Sequence, residues 1–493
     1  MPLKSIDIVD PLRQGLRRLG RPIRNNFQLV QCDNVAVYPD GITPFDEVQD
    51  PFNAQVSTSW PFPQMFKGKD GNMWLLDQTT INKVTTSTNP WTTAAQTTYD
   101  FATPASTKAI VGTGTSIWHY ADMGRSQMWF NGVETIIYFP DYNAKYLVDD
   151  TVGVKTGCYH RGRVVMGDLN SFFTSTWQTY LTDLAEENLD DEYTMTNYGN
   201  QVWFSEPGGG DVLWPFSLAL AKQGRVDDGF HNDTADSSIH KNFPMMMENW
   251  KRNGGGIITM EWAGDVLCTL PLGKFCMVYG DKGISALYPA QGTYGMETVM
   301  HTGIAGRGAV AGDDQQHVFP DEDGYLWTID AQLKTQKLDY HEFFDSTFIA
   351  NNPVITYDPT DGEFFIARLA EGYLLTRSGL SRVYQSPTAI IHQPTTGLSA
   401  TKPYGVFADN NLGQDALIKT DLFDFGATGM KTIKAIELGS RIGDNGASVT
   451  MSYRTDMDDN MNSGTETNVD DTGRATLNVS GIEFQMEVKL KAV

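Results

Sequence analysis

The sequence predicts an all-β chain, and three observations predict it. Glycine is abundant, 47 of 493 residues, and falls mostly at Asp-Gly, Asn-Gly and Lys-Gly steps. Between those steps lie aromatic or β-branched runs with period-two alternation, the signature of a strand with one buried face. A 3.6-residue periodicity is scarce, and only 12–19 and 180–188 offer short helical candidates.

Taken in order, the elements begin with a basic segment. Residues 1–25 carry Lys4, Arg13, Arg17, Arg18, Arg21 and Arg24 against Asp7 and Asp10, a net +4 in a chain of −23. A basic arm on an acidic body docks on an acidic neighbour or touches nucleic acid, unless it is a disordered terminus. Arg13, Arg17, Arg18, Arg21 and Arg24 are the expected docking residues. Next come the hairpin units. In QMWFNGVETIIYF, Asn131-Gly132 separates two strand-like stretches, and Asn-Gly tolerates the positive φ angles of a type I′ turn. Related units surround Gly71, Gly283, Gly324 and Gly362.

The spacing of these units points to an architecture. Gly283 to Gly324 is 41 positions and Gly324 to Gly362 is 38, close to the roughly 40–50 residues of a four-stranded propeller blade. Gly71 to Gly132 is 61 positions, so the early blades need a longer connection. Two units share a D-G-x-x-W core, Asp70-Gly71 with Trp74 and Asp323-Gly324 with Trp327. The expectation is a turn Asp that accepts from backbone amides and a Trp packed between adjacent blades. Residues 170–260, with LAEENLDDEY and QGRVDDGFHNDTADSS, read as long insertions. Beyond residue 420 the texture changes to KTIKAIELGSR, ASVTMSYRT, RATLNVSG and EFQMEVKLKAV, which alternate cleanly without tryptophan. The predicted organisation is a basic arm over 1–25, a β-propeller-like body with long insertions over 26–420, and a C-terminal β-sandwich over 421–493. A large β-sandwich or several small β domains would share much of this pattern.

Composition excludes several classes. With 60 Asp+Glu against 37 Lys+Arg, the chain is a poor duplex binder, because that work needs a basic surface. No stretch approaches the roughly 20 apolar residues of a membrane span. The first residues lack an unbroken apolar core with a small-residue cleavage site, so no secretory signal is expected. Cys32, Cys158, Cys268 and Cys276 are too sparse for a disulfide framework and form no C-x-x-C zinc pair. Cys268 and Cys276 flank a turn, as two buried thiols or as a disulfide across a hairpin.

Chemistry-bearing motifs are weak. GTGTS (Gly112, Gly114) and GIAGRGAVAG (Gly303, Gly306, Gly308) have neither dinucleotide-fingerprint nor P-loop spacing. There is no G-x-S-x-G elbow and no H-E-x-x-H. His301, Asp313, Asp314 and His317 offer N and O ligands without a recognised spacing. Asp456, Asp458, Asn460 and Asn462 alternate as in a calcium loop, but Met461 and Thr467 stand where glycine and glutamate are needed. The D-G-x-x-W units echo a sialidase-type turn, S-x-D-x-G-x-T-W, yet Asp and Gly are adjacent here and the Ser and Thr are missing. A carboxylate pair for glycoside hydrolysis is open, with no pair nominated. No catalytic, metal or cofactor residue is assigned.

Several local strings resemble tail proteins of double-stranded DNA bacteriophages. RNNFQLVQCDNVAVYPDGITPFDEVQDPF resembles an entry segment with C-x-N-V followed by G-[IL]-x-P, here Cys32, Asn34, Val35, Gly41, Ile42 and Pro44. GIAGRGAVAGDDQQHVFPDEDGYLWTIDAQLKTQKLDYHEFF is similar to a recurrent propeller blade of such proteins. FDFGATGMKTIKAIELG, VTMSYRTD and VSGIEFQMEV resemble their closing β-sandwich. The family named is the tail nozzle or hub, also called packaged-DNA stabilisation protein. The resemblance implies a non-enzymatic virion subunit in a homohexamer, about six copies closing by rotation. It would extend the DNA conduit below the portal and adaptor, help retain and then eject DNA, and hold tail fibres or a needle. Genomic DNA would pass without tight binding, since −27 outside residues 1–25 repels a polyanion. The alternatives are a carbohydrate-active β-propeller hydrolase and a glycan- or receptor-binding tail-tip module.

Overall fold

The computed structural model describes residues 15–16, 29–44, 64–100, 107–139, 144–147, 154–169, 199–208, 252–391, 405–407 and 415–490, with short gaps inside these ranges. Among them, six four-stranded antiparallel meanders follow one another along the chain. Blade 1 is Gln64–Lys67, Met73–Leu76, Ile81–Thr85 and Thr92–Ala95. Blade 2 is His119–Asp122, Gln127–Phe130, Thr135–Phe139 and Ala144–Leu147. Blade 3 is Thr156–His160, Arg163–Gly167, Gln201–Phe204 and Gly256–Thr259. Blade 4 is Val266–Leu272, Phe275–Gly280, Ile284–Ala290 and Thr293–Met300. Blade 5 is Ala311–Gly312, Gln316–Pro320, Leu326–Asp330 and Thr335–Asp339. Blade 6 is Val354–Asp358, Glu363–Arg368, Glu371–Leu375 and Leu380–Val383. The expected propeller-like body is therefore present.

Strands buried on both faces explain why the middle of each blade reads as a nearly continuous apolar run. Met73–Leu76 and Phe275–Gly280 are buried at every position. Neighbouring blades share cores. Trp74 of blade 1, Trp129 of blade 2 and Phe365 of blade 6 belong to one cluster, which brings the first and last blades together. Cys158 and Val202 of blade 3 pack with Cys276 and Leu287 of blade 4, and Tyr279 of blade 4 with Phe319 of blade 5.

The two expected Trp turns are built differently. Asp70 accepts from the Asn72 amide at 3.1 Å, and Trp74 packs on Trp129 of the next blade at 5.2 Å between ring centroids. In blade 5 the capping residue is Asp321 rather than Asp323. Asp321 accepts from the amides of Asp323 and Tyr325, at 3.0 and 2.8 Å, and from the Trp327 indole at 2.8 Å. Asp323 is exposed. The Asn131-Gly132 turn also differs from expectation. Asn131 pairs with Glu134, so Gly132 and Val133 occupy the centre, and positive φ falls on Gly132 alone, at 89°. The Asn131 side-chain carbonyl closes the turn, accepting from the Val133 and Glu134 amides at 2.9 and 2.6 Å, so the two positive φ angles of a type I′ turn are not used. The glycine spacing is likewise only partly a blade repeat. Gly132, Gly283 and Gly324 sit between second and third strands, whereas Gly71 and Gly362 sit between first and second strands. The true repeat is the 41-residue step from Gly283 to Gly324.

Within 170–260, Gln201–Phe204 and Gly256–Thr259 are the outer half of blade 3, Gln201–Phe204 pairing with Arg163–Gly167 on one side and with Gly256–Thr259 on the other. The insertion reading there applies to the stretches between these strands, which lie outside the described residues. The helical candidate 180–188 lies outside them too. In the candidate 12–19, Leu16 is instead extended, bridging Leu29. A described helix spans Ser346–Ala350, capped by Asp345 accepting from the Phe348 amide at 2.8 Å.

The chain closes with two packed layers. Lys431–Glu437 pairs with Arg474–Gly481 in one layer. Ala447–Arg454, Glu483–Leu490 and Ala416–Thr420 form the other, with Thr467–Asn468 at its edge. Ile433, Ile436, Leu477 and Val479 of the first layer cover Val449, Met451, Phe484 and Met486 of the second. This is the expected C-terminal β-sandwich, although its sheet already begins at Ala416. It is also continuous with blade 6. Leu29–Asp33 lies between Leu380–Val383, parallel, and Ala416–Thr420, antiparallel.

Candidate functional site

Blade geometry gathers the first strands of blades 2, 3 and 4 at one junction. Thr156 Oγ1 meets His119 Nδ1 at 3.2 Å and accepts from the Thr269 amide at 3.0 Å. Cys268 Sγ lies 3.8 Å from the same His119 nitrogen. All three side chains are buried. Alongside, Lys155 Nζ pairs with Asp168 Oδ2 at 2.5 Å, and Arg307 Nη2 stands 3.9 Å from the same oxygen. Asp168 is 1% exposed, against 21% for Lys155 and 19% for Arg307. Burial holds the Arg307 guanidinium below its ordinary pKa, while the carboxylates of Asp168 and Asp265 pull it upward. The two cations are thus matched by nearby carboxylates. The arrangement fixes blade edges by charge.

The connection carrying Arg307 reaches this junction because glycines, one of its own and one in the blade 2 turn, leave room for it. A Cβ on Gly308 would stand 2.8 Å from Ile117 Cδ1, and one on Gly132 would stand 2.7 Å from Arg307 Nη1. GIAGRGAVAG is therefore a close-packed crossing between blades 4 and 5, as the sequence reading of an inter-strand loop expects. Sequence inspection missed Lys155, Asp168, Arg307 and His119. The one available signal was an arginine flanked on both sides by glycine.

Two further histidines bridge blades. His160 Nδ1 is 2.8 Å from the Tyr294 hydroxyl, and His317 Nδ1 is 2.7 Å from that of Tyr279. His317 Nε2 lies 2.9 Å from the Pro271 carbonyl. A carbonyl only accepts, so His317 carries its proton on Nε2 and accepts from Tyr279 through Nδ1. Burial pushes the pKa of each of these two histidines down to about 4.

The residues considered for metals are not brought together. His317 is committed to Tyr279 and Pro271, whereas His301 is exposed. Asp313 caps its own turn, accepting from the Gln315 and Gln316 amides, and accepts from Tyr357 of blade 6 at 3.0 Å. In the calcium-like loop, Asn462 exchanges backbone bonds with Tyr453, Asp456 and Asn460 are exposed, and Asp458 lies outside the described residues. Among the described residues, no three His, Cys, Asp or Glu side chains gather as a metal site. Gly112 and Gly114 lie outside them. Cys268 and Cys276 are both buried thiols but cannot meet. Cys276 pairs across the hairpin with Pro271 and Cys268 with Tyr279, which puts the two sulfurs on opposite faces of the sheet.

The docking arm, Arg13, Arg17, Arg18, Arg21 and Arg24, lies outside the described residues. Its described neighbours, Gly15 and Leu16, dock on the chain itself. Leu16 is buried, bridges Leu29 and donates its amide to Leu380 at 2.8 Å. No described helix is long and apolar enough to cross a membrane.

No protein-family model and no curated protein matches the sequence. Solved structures with a similar outline include a chain of the mitotic checkpoint complex, at TM-score 0.37 and 8% identity over 76% of this chain and 90% of that one. The β-propeller domain of Myceliophteria thermophila Cps50 (Swd1) gives 0.37 and 9% over 70% and 96%. The extracellular domain of BT4673 from B. thetaiotaomicron gives 0.35 and 10% over 87% and 48%. At these scores the likenesses carry no argument, and the propeller assignment rests on the strand pairing above.

Proposed function

We propose that this chain is a non-enzymatic virion protein, a ring-forming nozzle or hub subunit of a bacteriophage tail. About six copies would close a ring through heterologous interfaces. The ring would prolong the DNA conduit below the portal and adaptor, retain packaged DNA and then let it leave. Tail fibres or a needle would be its other partners.

One observation carries the reading. The three segments that resemble phage tail proteins are far apart in sequence, yet they build a single core. Cys32, Val35 and Val37 of the entry segment share one core with Val318 and Leu326 of blade 5, with Phe344 just beyond that blade, and with Phe423, Phe484 and Met486 of the sandwich. A likeness spread over separate strings is more telling when those strings form one physical unit. Charge supports the same reading. The chain outside residues 1–25 carries −27, and Lys155 and Arg307 at the junction of blades 2, 3 and 4 are matched by carboxylates. Such a body gives phosphates little to hold, as a conduit requires.

The test is assembly of the full-length chain followed by mass photometry across concentration. A discrete ring of about six copies, without a ladder of intermediates, is expected. A monomer or trimer at every concentration, together with turnover on a glycan panel, would overturn the reading and favour the carbohydrate-active alternative.

A further inference from the structure

Blades 3 and 4 meet through an apolar core of Val165, Val202, Phe204, Val266, Val278 and Leu287. Two thiols sit inside it. Cys158 comes from the first strand of blade 3 and Cys276 from the second strand of blade 4. Their sulfurs are 3.5 Å apart, although the residues are 118 positions apart in the chain. Both are fixed by ladders on either side. Cys158 pairs with Val165 across its hairpin, and Cys276 pairs with Pro271 and with Leu287. The pair therefore approaches on two rigid sheets rather than on loops.

From this juxtaposition we infer that Cys158 and Cys276 are a covalent cross-link site, forming a disulfide that staples blade 3 to blade 4 under oxidising conditions. A bond of about 2.05 Å needs the sulfurs to close by about 1.5 Å, a shift within reach of side-chain rotation and small sheet movement. In the reaction, two S–H bonds break and one S–S bond forms. The two electrons and two protons pass to an added oxidant, here a diazenedicarboxamide, which becomes the hydrazine. The other thiols are placed differently. Cys268 faces the opposite side of the blade 4 sheet, towards His119, and Cys32 belongs to the core beneath the sandwich.

Burial sets the expected kinetics. The thiolate is the attacking species, and both sulfurs are shielded from solvent. Formation is slow on the folded chain, and the finished bond resists added thiols. Closing a loop of this length also restricts the unfolded chain, so the oxidised protein melts higher.

The experiment treats the folded full-length chain with diamide, blocks remaining thiols with N-ethylmaleimide in denaturant, and maps tryptic peptides without reduction. Trypsin cuts after Lys155, Arg161, Lys274 and Lys282, so Cys158 lies in TGCYHR and Cys276 in FCMVYGDK, while Cys268 falls in a different peptide. The expected product is TGCYHR joined to FCMVYGDK in most chains, with Cys32 and Cys268 alkylated. The species is lost in Cys158→Ala and in Cys276→Ala and retained in Cys268→Ala. The thermal midpoint of the oxidised wild type should rise by roughly 5 °C, with no rise in either pair variant. Unlinked Cys158 and Cys276 after prolonged oxidation of the folded chain, or a Cys268–Cys276 link instead, would overturn the assignment. Because trapping is read on the wild type, poor folding of a variant leaves the test intact.

Discussion

The junction between blades 1 and 2 and the junctions among blades 3, 4 and 5 meet the same packing demand with different chemistry. In the first, Trp74 lies on Tyr138 at 5.0 Å and on Trp129 at 5.2 Å, and Phe66 meets Trp129 at 5.4 Å. These contacts are tilted or edge-on, the geometry aromatic quadrupoles favour. In the second group, histidines, tyrosines and thiols cross the seams: His160 to Tyr294, Tyr279 to His317, and Cys158 beside Cys276. An aromatic seam is sensitive to lost volume and indifferent to pH. A seam bolted by neutral histidines depends on keeping them neutral, and one holding paired thiols responds to oxidation.

The contrast breaks most strongly at Trp129. Truncating Trp129→Ala in the centre of the aromatic seam should cost about 3–5 kcal/mol, read as a large fall in the urea midpoint at pH 7. The dependence of stability on pH should keep its wild-type shape in that variant. A loss of under about 1 kcal/mol would mean that the seam is not tightly packed.

Acid is the complementary probe. His317 is held near pKa 4 in the folded chain against an ordinary 6.5, so the unfolded chain takes up the proton first. Its contribution is complete above pH 6.5, falls as the pH drops through that window, and is gone near pH 4. The amount is on the order of 3 kcal/mol. Unfolding curves at several pH values should show His317→Gln less stable than wild type at pH 7 but with a shallower decline into acid. An unchanged decline would place the acid sensitivity elsewhere.

The smallest effect tests the turn correction. Asp321→Ala removes acceptors for two amides and the Trp327 indole and should cost about 1–2 kcal/mol. Asp323→Ala, the residue that the D-G-x-x-W pattern nominates, should be close to neutral. Equal costs would restore the pattern's own assignment.

Much of the fold was legible because β alternation is a local signal. The sandwich strands Lys431–Glu437 and Ala447–Arg454 stand where their alternation predicts, and the Asp70 turn behaves as its sequence suggests. What was not legible depends on partners distant in sequence. Blade 3 is interrupted between Arg163–Gly167 and Gln201–Phe204, and no period survives such a break. Asp321 is two residues from the Asp that the motif favours, and only the direction of the turn distinguishes them. At the junction of blades 2, 3 and 4, Lys155, Asp168 and Arg307 come from separate connections and form no string that a motif could match. The Cys158–Cys276 approach was hidden for the same reason, whereas the nearby Cys268–Cys276 spacing suggested a contact that strand alternation forbids.

The central claim is that this chain is a ring subunit of a phage tail, and its most direct test is quantitative mass spectrometry of gradient-purified particles. The account predicts the chain in those particles at about half the copy number of the portal protein, as a six-membered ring on a larger portal requires. Absence from particles alongside abundance in the lysate would contradict it.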